Sequence, residues 1–510
     1  MAKIIECIPN FSEGKKQDVI DAIINEITSV PGVTLWFNSS DTDYNRTCVG
    51  FIGSPEAVKT AAINSALKAN ELIDMREHHG AHPRVGAADP AMQNAAVELA
   101  KKAEVVLLYL GLDEISESEG LDRPHMKIPD SQVSLLQAVA AVNPNIVIVM
   151  SAGSAVEMPW LDSCRALVHG YLCGQAGASA VLKVITGDVN PSGKLSESYP
   201  MTYKDVSSRP YFPAKERSVE YREGLYVGYR YYETAGIPVL FPFGFGLSYT
   251  TFRYSDIEST ENEVTFTLTN TGLRDGAEVA QVYVSAVSPR IYRPKKELKG
   301  FTKVFLKAGE SRRVTVPLDD KAFRYFNTKT GKYETDGGSY TILVGASCAD
   351  IRLQAVVQVR GTDAPLPCTL ADLPSYASGS ILAVSDKEYT KLLGHAIPDG
   401  SWKKELGMND AIAQLYYAKS LKARLVGKIM QNMLNKSMAR GKPDLNIIFV
   451  TNMPFRAIGK MAGGMISQDM CRSIVTIVNG HAIAFFKGLG GLIGGFFRQR
   501  KVQKKAKNIH

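Results

Sequence analysis

The chain has 510 residues, more than one hydrophobic core accommodates, so several domains are expected. Apolar residues make up 45% and charged residues 22%, the composition of a soluble globular protein and not of a disordered or membrane-embedded one. The formal charge of +8 resides mostly in a tail, because Arg498, Arg500, Lys501, Lys504, Lys505 and Lys507 fall in the last thirteen residues, and no nucleic-acid partner is expected.

Residues 1–90 read as a small α/β unit. Ile4-Ile5-Glu6-Cys7-Ile8 predicts a strand, and Val19, Ile20, Ile23, Ile24 and Ile27 recur at helical spacing. Ser54-Pro55-Glu56 is a helix start, with Ser as N-cap and Pro at the first helical position. That helix runs towards Met75, and the polar loop His78-His79-Gly80-Ala81-His82-Pro83-Arg84 comes after it. Three histidines in five residues have no carboxylate or cysteine beside them at ligand spacing, so no metal is expected.

The motifs Ile8-Pro9-Asn10-Phe11-Ser12-Glu13-Gly14, Asn45-Arg46-Thr47, Ile52-Gly53-Ser54-Pro55-Glu56-Ala57-Val58 and His82-Pro83-Arg84 resemble the N-terminal subdomain of glutamate formiminotransferase. The resemblance implies His82 as the base that moves a formimino group to tetrahydrofolate, with Asn45, Arg46 and Arg84 at the substrate. Two departures stand beside it. Phe37-Asn38-Ser39 occupies the place of the family's D-x-D pair, and the resemblance stops near Asp89-Pro90, partway through the subdomain. A unit cut short in this way exposes a sheet edge and an apolar face.

Residues 91–203 alternate helix and strand. A helix over 91–102 leads into Val105-Val106-Leu107-Leu108-Tyr109-Leu110-Gly111, an apolar run too short for a helix and typical of a strand buried on both faces. Behind it Glu114, Glu117, Glu119 and Asp122 crowd one loop, ahead of Arg123. An acidic loop at the carboxyl end of a strand is where open α/β sheets place ligand chemistry. Crowded carboxylates raise one another's pKa, as a general acid needs, although a solvated acidic turn has the same composition. Pro129-Asp130-Ser131-Gln132 opens a helix over 133–142, strands come at 146–150 and 166–168, and a further helix spans 174–185. The alternation predicts parallel pairing with right-handed crossovers.

Residues 204–250 form an aromatic bridge rich in Gly and Pro, in which Tyr226, Tyr229, Tyr231 and Tyr232 read as interdomain packing or as a sugar-stacking platform. Residues 251–361 switch to period-two alternation at Val264, Phe266 and Leu268, then Val282-Tyr283-Val284, Val314-Thr315-Val316 and Tyr340-Thr341-Ile342-Leu343-Val344, with Asn270-Thr271-Gly272 as a turn. This pattern predicts an antiparallel β-sandwich of fibronectin type III kind with a packing role. Residues 362–510 are a Pro-containing linker and a helical extension. Leu421, Leu425, Ile429 and Met433 recur every four residues among Lys422, Arg424, Lys428 and Lys436, the pattern of a helix that docks on its own protein, on a partner or on a membrane surface. The apolar segment 474–497 is broken by Asn479, His481 and Lys487 and carries Gly488, Gly490, Gly491, Gly494 and Gly495, which lower its helicity and argue against a span.

From the acidic loop onward a second resemblance is marked. Glu117-Ser118-Glu119-Gly120-Leu121-Asp122-Arg123, Val156-Glu157-Met158-Pro159-Trp160, Gly187-Asp188-Val189-Asn190-Pro191-Ser192-Gly193-Lys194-Leu195, Tyr229-Arg230-Tyr231-Tyr232 and Phe241-Pro242-Phe243-Gly244-Phe245-Gly246-Leu247-Ser248-Tyr249 resemble the C-terminal α/β domain of glycoside hydrolase family 3, the β-glucosidases and β-xylosidases. The sandwich and the helices after it resemble modules found in the same family. The resemblance implies a carbohydrate ligand, no cofactor, Glu119 as general acid/base, and Asp122 and Arg123 at the sugar. It also implies a nucleophilic Asp in an S-D-W element on a (β/α)₈ barrel. No S-D-W occurs here, and residues 1–90 stand where the barrel is expected.

The fold class expected is therefore multidomain α/β plus all-β: a partial formiminotransferase-like unit (1–90), a family 3 C-terminal α/β sandwich (91–203), an aromatic bridge (204–250), a fibronectin type III-like β-sandwich (251–361) and a helical extension (362–510). Three functions are compatible with this organisation: a β-glucosidase-like hydrolase without its nucleophile and inactive alone, a truncated folate-dependent formiminotransferase, or a non-catalytic scaffold or gene-fusion product. Seven cysteines without C-x-x-C spacing fit a reducing compartment, and charge interrupts the N-terminus at Lys3 and Glu6, so a cytoplasmic location is expected.

Overall fold

The computed structural model describes residues 5–42, 45–74, 89–113, 116–117, 122–174, 176–214, 218–401, 405–439, 444–461, 466–480 and 482–507. Strands β1 (Ile5–Cys7), β2 (Asn10–Phe11), β3 (Val33–Asp41) and β4 (Arg46–Gly53) form an antiparallel sheet in which β4 is central. β1 and β2 succeed one another along one side of β4, and β3 takes the other. Helices α1 (Gln17–Thr28) and α2 (Pro55–Leu72) close a core around Ile23, Ile27, Val49, Phe51 and Ala61. The expected start of α2 is borne out: Ser54 Oγ accepts the Ala57 N–H at 3.2 Å, with Pro55 as first helical residue.

This N-terminal unit touches the next α/β layer. Lys59 on α2 pairs with Asp188 at 2.5 Å. Burial pushes the Cys7 thiol on β1 up to about 12, with Glu6 adding to the shift. The Cys7 sulfur is also near enough to Tyr109 to raise the phenol, after the larger effect of burial.

Helix α3 (Pro90–Ala100), β5 (Val106–Gly111), α4 (Asp130–Ala140), β6 (Ile146–Ser151), β7 (Ala166–His169) and α5 (Gly177–Ile185) form the second layer. The three strands pair in parallel in the order β5-β6-β7, as the alternation predicts. Their core joins Leu110, Leu136, Val139, Ile146, Ile148, Met150, Val156, Trp160 and Tyr199. One expectation fails here. β5 is not buried on both faces: Tyr109 is 62% exposed, and the strand lies at one edge of the described sheet. An apolar run on an edge strand has the same composition as one on a central strand, because composition does not count neighbours.

Strand β8 (Tyr199–Pro200) pairs with β9 (Val239–Phe241), and α6 (Tyr229–Ala235) lies between them in the chain. The tyrosines of this bridge pack between domains. Tyr226 is buried and bonds the Tyr376 carbonyl, while Tyr229 Oη accepts the Leu298 N–H at 2.7 Å. Tyr226, Tyr231 and Tyr232 share a core with Leu373, Tyr376, Ile381, Val384 and Tyr389.

The sandwich has the predicted alternation. One sheet holds β10 (Phe252–Ser259), β11 (Glu263–Asn270) and β14 (Ser311–Pro317). The other holds β12 (Gly276–Ala286), β13 (Glu297–Leu306), β17 (Gly338–Gly345) and β18 (Ile351–Val359). A hairpin of β15 (Arg324–Asn327) and β16 (Lys332–Thr335) stands beside them. Val264, Phe266, Leu268, Val282, Val284, Ile342 and Val344 face inward and are buried.

The extension contains α7 (Pro374–Ser378), α8 (Asp386–Leu393), α9 (Leu421–Ala439), α10 (Leu445–Asn452), α11 (Ile458–Met461), α12 (Gln468–Val478) and α13 (Ala482–Lys507). α7 and α8 dock on the aromatic bridge, whereas Leu406, Ile412, Leu415, Ala423, Phe455 and Val478 form a separate small core. The apolar stripe of α9 faces outward among the described residues: Leu421, Leu425, Ile429 and Met433 are all exposed. α9 packs through its small residues instead. Ala423 is buried, and Gly427 approaches so closely that a Cβ would stand 2.9 Å from the Tyr416 backbone nitrogen. No helix among the described residues is long and apolar enough to cross a membrane.

Candidate functional site at the carboxyl edge of the parallel sheet

β5 delivers the chain to the carboxyl edge of the sheet in a fixed register. Gln132 grips both backbone groups of Gly111: the Gly111 N–H donates to Oε1 at 2.9 Å, and its carbonyl accepts from Nε2 at 3.0 Å. Leu112 N–H reaches the Ser151 carbonyl at 3.0 Å, so β5 and β6 remain in step beyond the strand. Asp113 then closes a turn, accepting the Ser116 N–H on Oδ1 at 2.9 Å and the Glu117 N–H on its carbonyl at 3.0 Å.

Both described ends of the acidic loop are fastened to one turn, residues 153–155, at the end of β6. Glu117 takes the Gly153 N–H on its two carboxylate oxygens at 3.0 and 2.8 Å, and the Ser154 hydroxyl donates to Oε1 at 3.3 Å. Arg123 Nη1 donates to Ser154 Oγ at 2.7 Å and to the Ala155 carbonyl at 3.4 Å, and stands 3.9 Å from Glu117 Oε1. A Cβ at position 153 would sit 3.3 Å from both Glu117 oxygens, so a side chain there would crowd the brace.

Behind this clamp lies a second group of polar side chains. Tyr199 Oη and His169 Nε2 are 2.5 Å apart, and the His169 and Tyr171 rings pack with centroids 4.0 Å apart. Ser151 Oγ donates to the Tyr171 carbonyl at 3.1 Å, where Tyr171 holds a left-handed backbone at φ 52°. Burial sets the protonation of this group. It lowers His169 below the ordinary imidazole value and raises the phenols of Tyr171 and Tyr199. It also raises the Glu197 carboxyl, against the opposing pull of the Ala155 backbone, Tyr171 and Arg123. The Arg123 guanidinium is lowered by burial, with Glu117 and Glu197 working the other way. Its Nη2 is buried and has no hydrogen-bond partner among the described residues.

The arrangement is a carboxylate–guanidinium brace at the sheet's carboxyl edge, backed by a half-buried imidazole and two phenols. Of the expected site residues, Arg123 is in the brace and Asp122 is exposed beside it. Glu119 lies outside the described residues. Asn45 and Arg46 belong to the separate N-terminal sheet. Asn45 is buried at φ 51°, its Oδ1 accepting the Gly14 N–H at 2.9 Å, and Arg46 Nη1 reaches Asn10 Oδ1 at 3.5 Å. His82 and Arg84 lie outside the described residues. Among the described residues no group of three His, Cys, Asp or Glu is placed to hold a metal.

Sequence reasoning passed over Glu117 as a brace and missed Gly153, Ser154, His169, Tyr171, Glu197 and Tyr199 altogether. A Gly-Ser pair directly after a buried strand was the available signal, because the carboxyl edge is where such turns gather. Nothing in Ser196-Glu197-Ser198-Tyr199-Pro200 marks a half-buried carboxyl. A recess lined by Ile185, Thr186, Gly187, Tyr249 and Arg274 lies beyond the end of α5 and has no carboxylate in its lining.

Residues 15–249 match the glycosyl hydrolase family 3 C-terminal domain, and residues 278–348 match the fibronectin type III-like domain. The first match begins at Lys15, inside the segment whose motifs resemble the formiminotransferase, so the two assignments overlap there. The thermostable β-glucosidase B of Acetivibrio thermocellus is 36% identical over 399 residues, 77% of this chain and 48% of that protein. An exo-α-(1→6)-L-arabinopyranosidase of Bifidobacterium breve is 45% identical over 288 residues, 55% of this chain and 38% of that protein. The crystal structure of a family 3 β-glucosidase of Bifidobacterium adolescentis superposes with a TM-score of 0.54 at 46% identity, over 58% of this chain and 45% of that one. The chain thus spans about half the length of these relatives, or less.

Proposed function

We propose, for a chain that carries a glycosyl hydrolase family 3 C-terminal domain and a fibronectin type III-like domain, that it supplies the general acid/base of a retaining exo-glycosidase site. Its substrates are terminal pyranosides with an equatorial glycosidic bond. β-D-Glucosides and α-L-arabinopyranosides share that bond, and both appear in the names of the relatives. The observation that carries the reading is the brace: Glu117 and Arg123 fasten both sides of the acidic loop to one turn, with Glu119 between them in sequence.

In a retaining mechanism two carboxyl groups about 5–5.5 Å apart divide the work. One attacks the anomeric carbon. The other protonates the departing oxygen and then takes a proton from water as the sugar is released. Glu119 is the second of these. The buried Nη2 of Arg123 offers a donor to a sugar hydroxyl, and Asp122 offers an acceptor. The nucleophile belongs to a barrel outside these 510 residues, so the chain by itself does not turn over. The sandwich stiffens the α/β layer and takes no part in the chemistry.

The test grafts residues 91–361 into the Bifidobacterium adolescentis enzyme in place of the matching part. The chimera should hydrolyse aryl β-glucosides. Glu119→Gln should slow substrates with poor leaving groups far more than those with good ones, because only the former need a proton donor. An equal loss for both, or no loss, would sink the assignment.

A further inference from the structure

The last fifth of the chain differs in charge from everything before it. Between Lys419 and His510 there are seventeen Lys and Arg residues against two acidic ones, Asp444 and Asp469. The helices that carry this charge fold upon one another. Asn479, in the break between α12 and α13, exchanges hydrogen bonds with the Leu406 backbone at 2.8 and 2.6 Å, tying the hairpin to the small core.

The glycines of α13 explain how the hairpin closes. A Cβ on Gly488 would stand 2.6 Å from Ile477 Cγ1 and 2.8 Å from the Ser473 carbonyl. One on Gly491 would collide with Ser473, and one on Gly495 with Met470. These three glycines, at spacings of three and four, form the face that α13 lays on α12. The residues expected to weaken the helix are the ones that let it pack.

The opposite side of α13 is apolar and open. Ile483, Phe486 and Phe497 are 84%, 69% and 61% exposed, and Ile493 is exposed with them. At about 100° per residue these four side chains fall in one arc roughly 80° wide, nearly opposite the glycines. The sequence beyond Phe497 is basic, with Arg498, Arg500, Lys501, Lys504, Lys505 and Lys507. On α9 the exposed stripe Leu421, Leu425, Ile429 and Met433 is likewise set among Lys422, Lys428 and Lys436.

We propose that the C-terminal helices are an interfacial anchor for an anionic lipid surface. α13 lies on the bilayer with Ile483, Phe486, Ile493 and Phe497 among the acyl chains, and its basic end meets the headgroups. Lys487 and the glycine content do not suit a span, and no described helix is long and apolar enough to be one. A second copy of the chain is the weaker occupant, since joining two such modules would bring like charges together.

The experiment is vesicle flotation of the full chain, using phosphatidylcholine vesicles with and without phosphatidylserine, at low and high salt. The chain should float with the anionic vesicles only, and raising the salt should weaken binding. Phe486→Ser, Ile493→Ser and Phe497→Ser together should lower the partition coefficient by at least about tenfold with circular dichroism unchanged. Lys501→Glu with Lys504→Glu, which leaves the apolar arc intact, should also lower it. Failure to float, equal binding to neutral vesicles, or indifference to both sets of changes would overturn the proposal. So would self-association in solution that the serine changes abolish while vesicle binding stays absent.

Discussion

Replacing Glu117 by Ala should release the acidic loop without unfolding the domain. The carboxylate accepts the Gly153 N–H at 2.8 and 3.0 Å and the Ser154 hydroxyl at 3.3 Å. A hydrogen bond to a charged acceptor contributes about 1.5–3 kcal/mol, and the longer hydroxyl contact adds a fraction of that. Arg123 stands 3.9 Å away, and both side chains are only 18% exposed, so the variant also leaves the guanidinium half of the brace without its counter-charge. The opening free energy of the turn at 153–155 should fall by about 2–4 kcal/mol, a rise of roughly 30- to 1000-fold in the open population. Amide exchange at Gly153 reads this directly. Glu117→Gln keeps an acceptor but loses the charge, and should cost about 1 kcal/mol, or roughly fivefold. The core strands should exchange as before, because Ile146, Ile148 and Met150 do not touch the carboxylate through hydrogen bonds of their own. Gly153 protection within about threefold of the parent in the Ala variant would refute the brace.

Phe266→Ala, in the centre of the sandwich, should destabilise that domain by about 3–5 kcal/mol in urea titration, since the ring is fully buried. Gly491→Val should loosen the α12–α13 hairpin by about 1–3 kcal/mol and leave the unfolding of the sandwich unchanged, because its side chain would meet Ser473. Glu197 has a folded pKa raised by burial, so its contribution is fully present below the ordinary carboxyl value and is lost as pH rises through the folded one. Urea midpoints of the parent should therefore fall relative to Glu197→Gln as pH rises above about 4.5, and a pH-independent difference would contradict the burial.

The features readable in the sequence are those written in local periodicity. Val264, Phe266 and Leu268 alternate and face the sandwich core; Ser54-Pro55 starts α2; the three strands of the α/β layer sit where their apolar runs predict. What the sequence withheld depends on neighbours far along the chain. Tyr109 is exposed although it lies in an apolar run, and Glu117 is held by a glycine 36 residues away. The stripe Leu421, Leu425, Ile429 and Met433 looks like a docking face by spacing, yet α9 docks through Ala423 and Gly427, because close approach of backbones rewards small side chains. The same inversion governs α13, whose glycines read as helix breakers and act as the packing face. At the site, Glu119 was singled out only by resemblance and lies outside the described residues, whereas the His169–Tyr199 pair left no pattern to read.

Adding azide to the Glu119→Gln chimera with an activated aryl β-glucoside separates the proposed acid/base role of Glu119 from that of a nucleophile. Once the glycosyl-enzyme has formed, an acid/base variant lacks only the group that activates water, so azide enters from the face that water would use. Turnover should become faster and give a product of retained configuration, β-glucosyl azide, identified by the proton coupling at the anomeric carbon. The α anomer would mean that the nucleophile had been removed. No acceleration by azide in a folded chimera would mean that Glu119 takes no part in the second step.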